Sequence, residues 1–184
     1  MFRAERRQGF AQRLQGGATR RCARLPPSSS RPGQPDHAHI FGNDLFELLD
    51  ACKGNFACAQ AHAPRAFAQF ASRLTSILKQ LQAASPKAEI IVTGGWNFNV
   101  AKLRPTDPLF RSLDTTIGRV AAGAKARFAD TFPVFNPQGS IAREKARICA
   151  LTFACSQGDP HPTDAGYRAI AAVVWAASGY KHRS

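Results

Sequence analysis

From residue 64 onward the apolar positions fall into helical register. Phe67, Phe70, Ala71, Leu74, Ile77, Leu78 and Leu81 recur every three or four residues, so one side of a helix is apolar, while Arg65, Arg73 and Lys79 face water. Pro64 suits the first turn of that helix, where its missing N–H costs nothing, and Ser85-Pro86 ends it. A second helical stretch starts near Thr106, a fair N-cap, and carries Leu109, Leu113, Ile117, Val120 and Ala124 on one face. A third runs from about Thr163 to Ala177, with Tyr167, Ile170, Ala171 and Val174 predicted to share its apolar face.

Between the helices the pattern is different. Glu89-Ile90-Ile91-Val92-Thr93 is a short β-branched run closed by Gly94-Gly95, as expected of a strand buried on both faces in a parallel sheet. His39-Ile40-Phe41 reads as a short strand ending in a Gly42-Asn43-Asp44 turn, after which Leu45 to Leu49 begins a short helix. Arg127 to Phe132 resembles another strand, closed by Pro133, and residues 134–160 read as one long loop. Strand–helix alternation of this kind predicts an α/β fold, a parallel sheet with helices on both sides. Ligands in such sheets bind beyond the carboxyl ends of the strands, which directs attention to the loops that follow them.

Residues 1–36 depart from this pattern. They hold Gly16-Gly17, Pro26-Pro27, Ser28-Ser29-Ser30 and Arg31-Pro32-Gly33 with almost no large apolar residues, and are expected not to pack. The segment has eight Arg and no Lys against Glu5 and Asp36, so it supplies about half of the formal charge of +13. No apolar stretch of secretory-signal type follows these charges. The segment reads as a start site or reading frame foreign to the domain, with an organellar transit peptide as the alternative. The remaining Lys and Arg are spread singly along helix exteriors without interleaved aromatics, which argues against nucleic acid as a partner. No stretch is apolar enough to predict a transmembrane helix.

Five cysteines divide into two pairs, Cys52/Cys58 and Cys149/Cys155, each six residues apart, and a solitary Cys22. Equal short spacing favours two local disulfides over buried free thiols. Neither pair has zinc-ligand spacing and no histidine pair completes one, so no metal and no cofactor is expected.

Two loops hold residues suited to catalysis. Asn43, after the first strand, could donate its amide hydrogen to a developing oxyanion, although Gly-Asn-Asp is also a common turn. In Asp159-Pro160-His161-Pro162 a histidine is held between prolines, and the carboxylate two residues earlier can take its Nδ1 proton. That is the base half of a nucleophilic triad; the plainer reading is a helix-capping loop.

Taken in order, Gly42-Asn43-Asp44, Ile90-Ile91-Val92-Thr93-Gly94-Gly95-Trp96-Asn97, Phe132-Pro133-Val134-Phe135-Asn136-Pro137 and Asp159-Pro160-His161-Pro162-Thr163-Asp164-Ala165-Gly166-Tyr167 resemble the SGNH (GDSL) serine hydrolases, particularly secreted bacterial lipase-like members, over about residues 38–178. The resemblance implies a flavodoxin-like three-layer parallel sheet and a carboxylic-ester hydrolase acting on a small-molecule or lipid ester outside the cell. It implies His161 and Asp159 as members of the triad and Asn43 as an oxyanion-hole donor.

The family's opening strand, ending in Gly-Asp-Ser, and its glycine block have no counterpart here. Ser28, Ser29 and Ser30 follow no strand, and Phe41 stands where the third block usually has its first Gly. Residues 37–184 are therefore expected to be an N-terminally incomplete domain without a nucleophile, inactive as this chain. Open sheet edges left by the absent strand predict marginal stability or aggregation. The alternatives are a non-catalytic remnant of the fold and a basic polyanion-binding protein.

Overall fold

A computed structural model describes the backbone of residues 36–38 and 42–180, and side chains from residue 44 to residue 180. Expectations for the segment 1–35, including Ser28, Ser29, Ser30 and Cys22, and for the strand at His39-Ile40-Phe41 lie outside these residues.

Three short parallel strands, β1 (Asp36–Ala38), β2 (Ile90–Thr93) and β3 (Arg127–Ala129), form a sheet in the order β1-β2-β3. Ile91 is paired with His37 on one side and Arg127 on the other. Asp36, read from sequence as the end of the basic segment, is thus the first residue of a strand. Among the described residues six helices accompany the sheet: α1 (Gly42–Ala51), α2 (Phe56–Ala84), α3 (Leu103–Gly123), the single turn α4 (Phe132–Phe135), α5 (Ile141–Leu151) and α6 (Asp164–Ala177).

All four residues of β2 are buried, as its β-branched run predicts. Ile90 and Val92 join Leu45 of α1, Phe67, Phe70, Leu74 and Leu78 of α2, and Phe110, Leu113 and Ile117 of α3 in the larger apolar cluster. A smaller cluster lies around Trp96, Leu103, Phe135, Ile148 and Leu151, with Ala165, Ala169 and Ile170 of α6 packed against it. The ring of Trp96 stacks on that of Phe135 at 4.2 Å between centroids. Both local disulfides are formed: Cys52–Cys58 ties the end of α1 to the first turn of α2, and Cys149–Cys155 ties the end of α5 to the loop after it.

Several boundaries move from their predicted places. Gly42-Asn43-Asp44 is the first turn of α1, not a free turn. Helix α2 starts at Phe56, capped by the Asn55 side chain accepting from the Cys58 N–H, so Pro64 lies inside the helix. Helix α3 begins three residues before Thr106, whose hydroxyl donates back to the Lys102 carbonyl at 2.7 Å within the helix. The strand expected from Arg127 to Phe132 ends at Ala129, and Phe132 opens α4.

The loop expected over 134–160 contains α5, N-capped by the Ser140 side chain accepting from the Arg143 N–H. This helix escapes a hydrophobic-period reading because the first of its buried positions, Glu144, Ile148 and Leu151, is an acid. On α6 the predicted limits agree with the structure, where the Thr163 side chain caps the helix by accepting from the Gly166 N–H. The predicted face agrees in part: Ile170 and Val174 turn inward, together with Gly166, Ala169 and Val173, whereas Tyr167 and Ala171 are exposed.

Candidate active site

Because the strands are parallel, the segments that follow them emerge at one end of the sheet. Three of them are Gly42-Asn43 after β1, Gly94 to Asn97 after β2, and Asp130-Thr131 after β3. Gly94 continues the ladder by donating its N–H to the Ala129 carbonyl at 2.9 Å. The Thr131 hydroxyl donates to the Gly95 carbonyl at 3.1 Å. Asn97 and Asn136 lock the two loops together: the Asn97 N–H donates to Asn136 Oδ1 at 2.8 Å, and Asn136 Nδ2 donates to the Asn97 carbonyl at 3.0 Å. Asn136 Nδ2 also reaches Glu144 Oε1 at 3.0 Å.

Glu144 is 1% exposed, and a charge at such depth needs partners. Arg104 supplies the opposite charge, its Nε lying 2.9 Å from Glu144 Oε2. The result is a largely buried polar network joining the β2 loop, α3, the residue that ends α4, and α5. In the sequence Asn97 and Asn136 stand in the quoted motifs without an assigned role, and Glu144 lies in what reads as a loop. Their signal was available only as polar residues beside an apolar run.

Asp114 was also missed. It projects from the buried side of α3 under Gly94-Gly95, 4% exposed, and its Oδ1 accepts the Gly95 N–H at 2.9 Å. Burial, reinforced by the Asp130 charge, pushes its carboxyl up to about 7, against the Gly95 hydrogen bond and Arg111, which act the other way. Gly94 keeps this approach open, since a Cβ at that position would stand 3.0 Å from Asp114 Oδ1 and 3.1 Å from the Phe128 ring, and those side chains would have to give by a few tenths of an ångström.

The Asp159–His161 loop is braced by the segment that follows α5. Leu151 Cα–C=O accepts the Thr163 N–H at 2.9 Å, Thr152 bridges Pro162, and the Phe153 N–H donates to the His161 carbonyl at 3.0 Å. The Cys149–Cys155 disulfide spans this bracing segment. Helix α6 approaches α5 so closely that a Cβ on Gly166 would fall 2.1 Å from the Leu151 carbonyl oxygen, so only glycine fits.

Asp159 and His161 meet as the spacing predicts. Asp159 Oδ1 accepts the His161 backbone N–H at 2.9 Å and lies 2.5 Å from His161 Nδ1. The backbone N–H first, then the imidazole, hold the Asp159 carboxyl below its ordinary value. With Nδ1–H directed at Asp159, the neutral ring offers Nε2 as the basic nitrogen, and the ring is 75% exposed. Among the described residues no serine hydroxyl is hydrogen-bonded to it. Asn43 is placed by its backbone in the first turn of α1, after β1; its side chain lies outside the described residues.

No three His, Cys, Asp or Glu side chains converge among the described residues, and no described helix is long and apolar enough to cross a membrane. A groove of about 830 Å³ is lined by Lys79, Gln82, Glu89, Ile90, Lys125 and Arg127 among others. Ile90 and Arg127 open their strands, so this groove lies at the end of the sheet opposite to Gly94 and Asp130.

No known family profile matches the chain, and no curated protein matches it in sequence. Solved structures do resemble it. A phospholipase A1 from Streptomyces albidoflavus NA297 superposes with a TM-score of 0.57 at 22% identity, covering 77% of this chain and 68% of that one. A mutant of an acetyl-xylooligosaccharide esterase from Geobacillus Stearmophilus superposes with a TM-score of 0.50 at 16% identity, covering 79% of this chain and 60% of that one. At these identities the likeness is one of fold: the chain shares a mixed α/β architecture with a phospholipase and an esterase.

Proposed function

We propose that this chain is part of an SGNH-type ester hydrolase domain with a three-layer sheet, in which His161 is the general base and acid and Asp159 orients it. The observation that carries this reading is the 2.5 Å contact between Asp159 Oδ1 and His161 Nδ1, which leaves Nε2 on an exposed ring as the proton acceptor. The shared fold with a phospholipase A1 and an acetyl-xylooligosaccharide esterase supports it. Asn43 is assigned as oxyanion donor from its place after β1. The substrate class is a small-molecule or lipid ester, and the two disulfides favour an oxidising compartment.

In the mechanism, a serine hydroxyl would pass its proton to His161 Nε2 while its oxygen attacks the ester carbonyl; Asp159 would stabilise the imidazolium, which then protonates the leaving alkoxide. We assign none of the serines of this chain as the nucleophile for this step, so the chain alone is expected to be inactive. It should give no turnover of p-nitrophenyl acetate above a protein blank and no labelling by a fluorophosphonate. Fusion of an upstream apolar strand ending in Gly-Asp-Ser should restore turnover, which His161→Ala should then lower by about 10⁴-fold or more. A restored enzyme indifferent to His161→Ala would reduce the Asp159–His161 pair to a helix-capping loop.

A further inference from the structure

Ile141, Tyr167 and Trp175 are the large apolar side chains left exposed among the described residues, at 58%, 55% and 60%. All three lie on α5 and α6, which pack against each other. At 100° per residue, the exposed residues of α6 occupy one continuous half of the helix. That half holds Tyr167, Ala171, Ala172, Trp175 and Ala176, with Asp164 and Arg168 as its charges. The outer half of a surface helix is ordinarily polar, and a helix apolar on both sides is ordinarily covered.

The neighbouring charges indicate what covers it. Helix α5 exposes Arg143, Lys145 and Arg147, while its one acid, Glu144, is buried against Arg104. The pair of helices thus exposes four cations and one anion, Arg143 and Arg147 on one flank of α5, Lys145 on its other flank and Arg168 with Asp164 on α6, whose apolar stripe carries two aromatics with polar tips. Tyr and Trp are suited to a surface that is apolar below and wet above, and Lys and Arg bury their stems while their heads meet anionic groups. A second copy of the chain would bring four cations against four, so self-association is disfavoured.

We propose that the α5–α6 face docks on an anionic lipid surface, with α6 lying along it and Tyr167 and Trp175 in the headgroup layer. Docking would hold the His161 loop, three residues before α6, beside that surface. The inference needs no nucleophile and stands apart from the proposed reaction, so either can fail without the other.

The test uses the full chain with phosphatidylcholine vesicles, with and without phosphatidylglycerol, in flotation and tryptophan fluorescence. Trp96 is 7% exposed and stacked on Phe135, so changes in emission report on Trp175. Binding is expected only with phosphatidylglycerol, with a blue shift and quenching by brominated acyl chains. Lys145→Glu with Arg168→Glu should weaken binding by at least about 25-fold, from about fivefold for each basic residue lost. Trp175→Ser should weaken it about tenfold and abolish quenching. All three positions are exposed, and circular dichroism checks that the variants fold. No binding would overturn the proposal. So would binding untouched by these variants, which would assign it to the Arg-rich residues 1–36, or a lipid-free dimer that Trp175→Ser dissociates.

Discussion

The two apolar clusters that hold this molecule together are built differently. Around β2, large side chains from α1, α2 and α3 interlock, with Phe70, Phe110, Leu74, Leu113 and Ile117 at 1% exposure or less. Around Trp96 and Phe135 the apolar supply is smaller, and α6 contributes only half-buried alanines and Ile170 to it. Each region has one local disulfide, but what the smaller one lacks in bulk it makes up in specific contacts: a glycine seated on a carbonyl, the Asn97–Asn136 exchange and the Glu144–Arg104 pair. Bulk burial tolerates redistribution, whereas such contacts either fit or fail. The region that carries Asp159 and His161 is the one held by fit.

The sharpest way to break this comparison is to empty the first cluster. Phe110 is fully buried and meets Phe98 edge-on at 5.3 Å, so Phe110→Ala should cost about 3–5 kcal/mol in urea unfolding. A cost below about 1 kcal/mol would mean that the larger cluster does not carry the fold.

Asp114, buried beneath Gly95, gives a pH signature. Its folded carboxyl binds a proton more tightly than the unfolded one, whose ordinary value is 3.8. Its contribution is therefore fully present below about pH 4 and is lost as the pH rises through about 7, a fall of up to about 4 kcal/mol. Asp114→Asn should remove that slope from unfolding curves collected between pH 4 and 8. An unchanged slope would assign it to other groups.

A smaller effect sharpens the contrast from the other side. Replacing Cys149 and Cys155 by Ser opens a short loop and should cost about 2 kcal/mol. Amide hydrogen exchange should rise at Phe153 and Thr163, whose N–H groups bond to His161 and Leu151, while Ile91 and Val92 stay protected. Uniform loss of protection would show that the two regions unfold as one.

Much of this was legible in the chain itself. The periods of α2, α3 and α6, the buried run of β2, both disulfides and the Asp159–His161 contact follow from spacing, because each depends on residues close in sequence. Other features depended on partners far along the chain. Helix α5 was hidden because its first inward position is Glu144, which reads as surface until Arg104 and Asn136 are brought to it. Asp114 reads as a polar position on α3 until Gly95 arrives above it. On α6 both sides are apolar, so the pattern could not choose the inner face; contact with Leu151 at Gly166 chose it. Hydrophobic spacing determines where helices and strands run, because apolar burial is local in its periodicity. Only the tertiary structure decides which polar groups are buried, because their desolvation is offset by partners that the linear order does not place beside them.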